Sequence, residues 1–360
     1  MAYVTEVPPL FNPRNLGRMS SSQTGPATGP TSLGMPAMPP PSSDPPWKNA
    51  WDAALYGPDG FFRREAPAAH FRTSVHASPL FARAVVELTR RAGLDTIVDV
   101  GAGRGELLAE AHRLDPGLTL LGVEVAPRPE ALPAQVAWTA ALPASVEGLV
   151  IANEWLDNIP CHVVEVDDRG VVRVVHVDPR TGKETLGAAV DDASVPASLS
   201  AWCASWWPPA AREPGTRAEV GSTRDQAWAD VVRRVTRGLA VAVDYGHTAQ
   251  DRPPFGSLRS YRAGSEVDLL PDGSRDVTAD VAVDAVAERT GGSLVRQRTA
   301  LHRLGVAGDR PPLELATDDP AAYVEALSRA GEAAELTDAS GLGAFWWVVS
   351  AIGVDSPLDA

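Results

Sequence analysis

The sequence has 360 residues, 46 of them acidic and 32 Lys or Arg, which gives a formal net charge of −14. This excess of acids argues against a general nucleic-acid-binding or membrane-surface protein, but it would tolerate a basic peptide as substrate. Two cysteines, Cys161 and Cys203, exclude a disulfide framework and fit a reducing compartment, and their surroundings indicate no metal site. Because no apolar run reaches the ~20 residues that span a bilayer, we expect a cytoplasmic protein without membrane contact.

The chain is predicted to begin with a tail that does not fold. Residues 1–46 are rich in Pro, Ser and Gly and too poor in apolar residues to build a core, so we expect disorder there. Residues 47–92 are predicted to form an N-terminal helical region. One helix covers Trp47 to Tyr56, and a second follows Ser78, its N-cap, and ends at Gly93.

Between these helices, residues 70–78 are expected to form a flap over a bound ligand, because the second helix would lie beside the glycine turn that follows it. Thr73, Ser74 and His76 are its candidate substrate contacts.

The stretch from Thr96 to Leu108, TIVDVGAGRGELL, predicts a buried strand, a glycine turn and the start of a helix. Gly101, Gly103 and Gly105 occupy every second position of the turn, where glycine permits a positive φ and close approach of a ligand to the main chain. Asp99 lies in the strand just before them. This geometry is typical of sites that hold a nucleoside cofactor.

Two cofactors use such a turn. A dinucleotide site needs glycine at the sixth motif position, where this chain has Glu106, whose carboxylate would repel a pyrophosphate. S-adenosylmethionine (SAM) has no phosphate and carries a cationic sulfonium and amino group, so acids suit it. Glu124, near the end of the second strand (118–125), is placed to accept hydrogen bonds from both ribose hydroxyls, a feature that SAM and NAD share.

The fourth strand (148–153) ends in acids. Ligands of open α/β sheets bind beyond the carboxyl ends of the strands, where strand order reverses. Asn153 is therefore a candidate cofactor contact, and Glu154 and Asp157 are candidate catalytic acids that would share one face of a helical turn. The alternative is that both acids cap backbone N–H groups.

The rest of the chain continues the alternation of strands and helices. A β-hairpin is predicted at 162–177, an irregular Trp-rich region at 178–225, and a helix at 223–237. The fifth strand (239–245) ends in Asp244, Tyr245 and His247, which are candidate substrate contacts, and His247 has the intrinsic pKa of a general base.

Further elements are expected as a polar loop at 252–276, a helix at 278–288, a strand at 294–299, a helix at 319–330 and a closing strand at 345–352. The pattern predicts a doubly wound α/β fold over residues 93–353, with an inserted hairpin and helical region at about 161–222.

Eight stretches together resemble the MidA-type SAM-dependent methyltransferases, a family that includes the mitochondrial complex I assembly-factor methyltransferase. They are residues 53–62, 70–82, 98–108, 122–128, 151–160, 242–247, 272–281 and 341–349. The pairing of ANE-x-x-D-x-x-P (152–160) with a downstream DYG (244–246) carries most of the specificity, because generic methyltransferases lack it.

The resemblance implies a seven-strand Rossmann-like methyltransferase sheet, SAM as cofactor, an EC 2.1.1 activity and protein arginine as the methyl acceptor. The family usually has an acid and a glycine just before position 71, where this chain has Ala69 and His70. It also usually has an acid at or next to position 76, where this chain has His76. The substrate is therefore expected to differ from that of other members. A small-molecule O- or N-methyltransferase and a non-catalytic SAM-binding assembly factor stay open as alternatives, as does a nicotinamide dehydrogenase. The oligomeric state has no sequence signal.

Overall fold

The computed structural model describes residues 44–64, 74–207 and 212–359. The predicted tail lies outside the described residues except at 44–46, and Thr73 also lies outside them. The helices are α1 Trp47–Tyr56, α2 Phe61–Arg64, α3 Ser74–Ala77, α4 Pro79–Arg91, α5 Glu106–Leu114, α6 Ala197–Trp206, α7 Ser222–Val232, α8 Val283–Thr290, α9 Gln297–Arg303, α10 Leu313–Asp318 and α11 Pro320–Leu336.

The strands are β1 Thr96–Val100, β2 Thr119–Val123, β3 Val136–Thr139, β4 Val146–Asn153, β5 His162–Val166, β6 Val172–Val177, β7 Glu184–Ala189, β8 Arg217–Val220, β9 Val235–Asp244, β10 Gly246–His247, β11 Arg259–Arg262, β12 Ser265–Val267, β13 Asp276–Thr278, β14 Val281–Ala282, β15 Ser293–Arg296 and β16 Trp346–Ile352.

Seven strands form the central sheet in the order β15-β16-β9-β4-β1-β2-β3. β1 pairs in parallel with β2 and β4, whereas β16 runs antiparallel to both its neighbours. Side chains alternate between the two faces of a strand, so Ile97 joins an apolar core with α4 and α5 while Val98 joins a second core with α7 and α8. The predicted doubly wound α/β fold with a seven-strand sheet is confirmed.

A second sheet is inserted between β4 and β9. Its four strands lie in the order β7-β6-β5-β8. Trp47 and Trp51 of α1 pack on one face, and Trp202 of α6 packs on the other. The predicted hairpin at 162–177 is present as β5 and β6. The prediction that 178–225 is irregular is wrong, because β7, α6 and β8 lie there; every residue of β7 is only half-buried, so it lacks the alternation that marks a strand.

Other boundaries also differ from the prediction. The helix expected to continue to residue 237 ends at Val232, because pairing of Val235 with Val146 begins β9 there. The expected polar loop at 252–276 contains β11 and β12, and the helix expected from Thr278 begins at Val283. β11 and β12 have four and three residues, too few to show a hydrophobic period. No helix in the described ranges is both long and apolar enough to cross a membrane.

Candidate functional site

The turn between β1 and α5 has the backbone that its glycines predict. Gly101, Gly103 and Gly105 have φ values of 73°, 56° and 78°. A Cβ atom added to Gly101 would lie 2.7 Å from Cδ1 of Trp155, and one added to Gly105 would lie 2.7 Å from a leucine methyl group. At Gly103 the nearest atom would be Oε2 of Glu106, at 4.0 Å. The main chain at Gly103 is therefore the part of the turn that a ligand can approach.

Asp99 is buried in β1 directly before this turn. Burial, and then the charges of Glu124 and Glu106, raise the pKa of Asp99 from 3.8 to about 7. A carboxyl group in this state gains from a neighbouring cation, since a positive charge stabilises its ionised form.

Glu124 follows β2 and reaches back to the glycine turn. Its Oε2 accepts a hydrogen bond from the N–H of Gly103 at 3.2 Å, and its Oε1 accepts one from the N–H of Ala126 at 3.0 Å. Each carboxylate oxygen therefore keeps a lone pair for another donor, which is what the two hydroxyls of a ribose require.

Val125 is a feature that the sequence analysis missed. Its side chain is 68% exposed beside Glu124. An exposed apolar side chain next to an acid with free lone pairs for a ribose offers a surface for a flat base. The available signal was its position directly after the acid.

Glu154 lies at the end of β4 in a conformation that is rare for its residue type. Its φ is 52°, in the left-handed region where a Cβ atom costs about 1–2 kcal/mol. Its N–H donates to the carbonyl of Val243 at 2.8 Å, which continues the pairing of β4 with β9. Its Oε1 accepts hydrogen bonds from the N–H of Ser74 and from Nδ2 of Asn153, both at 3.1 Å.

The electrostatics of this turn favour protonation of Glu154. Burial, and then the charge of Asp157, raise its pKa from 4.5 to about 7, against the opposing hydrogen bonds from Ser74 and Asn153. The carboxyl group is therefore close to half ionised at neutral pH, the state that best serves a group that must accept a proton.

Asp157 is engaged by neighbouring hydroxyl groups. Its Oδ2 accepts hydrogen bonds from Tyr245 and from Thr278, the latter at 2.9 Å, and its Oδ1 accepts one from Nδ2 of Asn158 at 2.9 Å. Burial raises the pKa of Asp157, and the bonds from Tyr245 and Thr278 oppose that rise. This arrangement fits a residue that shapes the turn.

Asp244 has a similar environment at the end of β9. Its Oδ2 accepts the N–H groups of Leu156 and Asp157 at 3.0 and 3.1 Å. Burial, followed by the charges of Asp157 and Glu154, raises the pKa of Asp244 well above its ordinary value. Its carboxyl group thus holds the turn after β4 against the end of β9.

Arg224, on α7, is a further residue that the sequence analysis missed. It is almost fully buried, and its guanidinium donates to the carbonyls of Ile159, Asp280 and Asp157 at 3.1, 2.9 and 2.7 Å. It fixes the backbone of the segment after Glu154. No pattern in the sequence distinguishes this arginine from the exposed ones.

The described part of the expected flap is α3, which connects the two acid-lined sides of the site. The N–H of Ser74 bonds Glu154, and Nε2 of His76 lies 3.3 Å from Oε1 of Glu106, which begins α5. The hydrogen bond to Glu106 is the main cause of a raised pKa of His76.

His247 lies in a different environment. It is buried, and its Nδ1 accepts a hydrogen bond from Nε of Arg252 at 3.4 Å. Burial, and then the charge of Arg252, lower its pKa. The charged groups that act on it most strongly are Arg252, Asp280 and Glu219, rather than Glu154.

Three buried side-chain oxygens near this turn have no hydrogen-bond partner within the described ranges. They are Oδ1 of Asn153, Oδ1 of Asn158 and Oδ1 of Asp276. The charge of Asp157 contributes to a raised pKa of Asp276, so these two carboxyl groups are neighbours. Buried acceptors without donors are costly.

The residues around the glycine turn fit SAM. The main chain at Gly103 is open and would admit the methionine portion, the free lone pairs of Glu124 match a ribose, and Asp99 and Glu106 would supply negative charge for a cationic ligand. Glu106 would oppose a pyrophosphate at the same place.

Comparison with known proteins agrees with this fit. A family model described as "Putative S-adenosyl-L-methionine-dependent methyltransferase" matches residues 111–298, slightly more than half of the chain. The match includes Glu124, Glu154 and Asp157. No protein with curated annotation matches the sequence.

Two solved structures from Burkholderia thailandensis share the fold. One, described as a "likely methyl transferase", is bound to S-adenosyl-homocysteine; it aligns with a TM-score of 0.70 at 22% identity, over 88% of this chain and 90% of its own. The other, a native structure of a member of the same superfamily, gives 0.69 at 22% identity over the same shares. At this identity the likeness concerns the fold.

The family match, the seven-strand sheet and the acid-lined glycine turn agree, so the cofactor inferred from the sequence is confirmed as SAM. The chain belongs to this family of SAM-dependent methyltransferases, in agreement with its resemblance to the MidA-type members.

Proposed function

We propose that the methyl acceptor is an arginine side chain of a protein, and that Glu154 receives its guanidinium. The observation that carries this proposal is the set of three buried oxygens, on Asn153, Asn158 and Asp276, that have no donor in the described part of the chain. A guanidinium brings five N–H donors in a fixed plane and no acceptor. A neutral hydroxyl substrate brings a single O–H donor, so it could satisfy at most one of these acceptors.

The charge of the site supports a cationic substrate. Asp157 and Glu154 both contribute to the raised pKa of Asp244, and Asp157 also raises that of Asp276. A cation among these carboxyl groups would lower their mutual repulsion and draw them toward the ionised state.

Methyl transfer is an in-line displacement, so positioning supplies much of the rate. When bound, SAM supplies an electrophilic methyl group on a sulfonium. Gly101, Gly103 and Gly105 would give that cofactor access to the main chain, with Asp99, Glu124 and Asn153 around it. Glu154 would align the guanidinium by charge-assisted hydrogen bonds and accept the proton released on attack.

We assign Asp157, Asp244 and Tyr245 to the support of Glu154. Their hydrogen bonds are made to one another, to Thr278 and to the backbone of the turn. Removal of any of them would displace Glu154 without removing the proton acceptor itself.

The test is to incubate the protein with SAM that carries a labelled methyl group and with cell extract, then to hydrolyse the labelled protein and separate its amino acids. Methylarginine is the expected product. Glu154→Gln is the matched variant: it should bind SAM with unchanged affinity in a calorimetric titration and transfer no label.

Other outcomes contradict the proposal in distinct ways. Label on small molecules alone would indicate an O- or N-methyltransferase of metabolites. Label on neither fraction, with SAM still bound, would indicate a non-catalytic assembly factor. Full turnover by Glu154→Gln would remove Glu154 from its assigned role.

A further inference from the structure

Helix α10 and the first part of α11 stand away from the core of this protein. α10 buries no residue, and α11 buries only Ala330, Ala333 and Leu336, so the ten residues 320–329 are all at least partly exposed. Short helices in water gain most of their stability from packing an apolar face. We call residues 309–329 the α10–α11 hairpin.

The α10–α11 hairpin nevertheless carries apolar side chains. Leu313, Val324 and Leu327 are 75%, 65% and 42% exposed, and they make up three of the five exposed large hydrophobic residues in the described ranges. Val324 and Leu327 are three residues apart and share one face of α11. Exposed apolar residues that cluster, unlike single ones, mark a binding surface.

The charge of the α10–α11 hairpin selects the kind of partner. It has five acids and two arginines in 21 residues, a net charge of −3, whereas the whole chain of 360 residues has −14. One of the arginines, Arg329, is already paired with Glu325 at 2.7 Å. Such a surface repels nucleic acids, anionic lipids and a second copy of this acidic chain, and it attracts a basic segment.

The part of α11 that follows the α10–α11 hairpin adjoins the candidate site. Oγ of Ser78, directly after α3, donates to Oε2 of Glu332 on α11 at 2.7 Å. Gln297 donates to Ser74 Oγ and to the carbonyl at the end of α11. Because the N–H of Ser74 also bonds Glu154, α3 connects α11 to the candidate site.

We infer that the α10–α11 hairpin docks a basic amphipathic segment of the protein substrate, its apolar side chains against Leu313, Val324 and Leu327 and its cations against Glu314 and Asp318. This inference rests on the proposed function for the identity of the partner, but the docking surface itself can be tested separately.

The probe is an 18-residue amphipathic peptide of leucine, lysine and arginine that carries a dye and a photoreactive group. Its binding to the full chain is measured by fluorescence anisotropy, and its position is mapped by cross-linking. The control peptide has glutamate at every cationic position. We expect the basic peptide to bind, with an affinity that falls as salt is added, and to cross-link within 309–329. The acidic peptide should not bind.

Two variants assign the binding to this surface. Leu313→Ser/Val324→Ser/Leu327→Ser should lower the affinity for the basic peptide by about tenfold or more. Glu314→Lys/Asp318→Lys should lower the same affinity through charge repulsion. These side chains are exposed, so both variants should keep their melting temperature. Phe255→Ser is the matched control, because Phe255 is 71% exposed on another part of the surface; it should leave binding unchanged.

Equal affinity in the triple-serine variant and the unaltered protein would overturn the inference. So would light scattering that finds a dimer which the triple-serine variant loses, since the surface would then serve self-association. Peptide binding without methylarginine in the labelling assay would keep the docking surface and reject the proposed acceptor. Methylarginine on extract protein without peptide binding would do the reverse.

Discussion

Glu154 combines a strained backbone with a carboxyl group that titrates near neutrality. Natural proteins keep a non-glycine residue at φ 52° where the surrounding structure imposes it, and such outliers cluster at functional sites. Here the N–H bond to Val243 and the bonds from Ser74 and Asn153 impose it. The strain indicates that the side chain at this position matters more than the stability it costs.

Glycine at this position should separate stability from activity. Glu154→Gly and Glu154→Ala both lose the side-chain bonds to Ser74 and Asn153, but only the glycine variant is relieved of about 1–2 kcal/mol of backbone strain. We expect the glycine variant to be at least as stable as the alanine variant in thermal denaturation, and both to lack methyl transfer. A glycine variant that melts several degrees below the alanine variant would show that the conformation is not strained.

At the scale of elements, the glycine turn leaves its main chain open at one position and is closely packed at the others. Gly103 faces open space, whereas a side chain on Gly101 would collide with Trp155. The chain offers a matched control in Gly93, after α4, which has a similar φ of 67° and no atom within 4 Å of its added Cβ.

Gly103→Ala and Gly93→Ala should therefore lose the same stability, about 1 kcal/mol each from positive φ. Only Gly103→Ala should lower the affinity for SAM, by about tenfold or more, because its methyl group occupies the approach to the main chain. Thermal melts and calorimetric titration measure the two effects. Unchanged SAM affinity in Gly103→Ala would contradict contact between the cofactor and this part of the turn.

The elements of the sheet were predictable where local pattern and fold agree. The strand, glycine turn and helix at 96–108 and the acids after β2 and β4 could be located because motif spacing and apolar runs coincide there. β7 and β8 could not: β7 is an edge strand with six half-buried residues and has no clear period, and β8 has only four residues. Helix α7 was predicted to be too long. The pairing of β9 with β4 decides where β9 begins, and single-sequence propensity does not include such tertiary contacts.

The site was predictable only in part for the same reason. Glu124 and Glu154 follow strands, so topology alone places them at one edge of the sheet. The role of Arg224 depends on three carbonyls that come from distant segments. Its contacts, like that of α3 with Glu154, exist only in the folded chain and leave no local pattern.

For the whole molecule, buried acids make stability depend on pH. Burial raises the pKa of Asp99 and Asp225 from 3.8 to about 7 and that of Glu154 from 4.5 to about 7. Asp244 and Asp276 are shifted upward as well. Because the unfolded chain loses these protons first, the stabilisation is complete below about pH 4 and is lost as pH rises toward and beyond 7.

We therefore expect the melting temperature to fall by about 5 °C or more between pH 5 and pH 8, and saturating SAM to reduce that fall because a cation offsets the ionised acids. Asp225→Asn is the control. Asp225 accepts a hydrogen bond from Trp202 on α6, away from the glycine turn. Loss of its carboxyl group should therefore reduce the dependence of the melting temperature on pH without altering SAM affinity. A melting temperature that rises over this range would contradict the buried-acid account.

The position of β16 in the sheet bears on how the protein is made. β16 lies between β15 and β9, although it is the last strand in sequence. While the ribosome is still adding the residues before Trp346, β9 has β4 on one side and an open hydrogen-bonding edge on the other, and open edges recruit foreign strands. The sheet can close only after residues 346–352 have left the exit tunnel, so until then the edge of β9 is exposed to pairing with other strands.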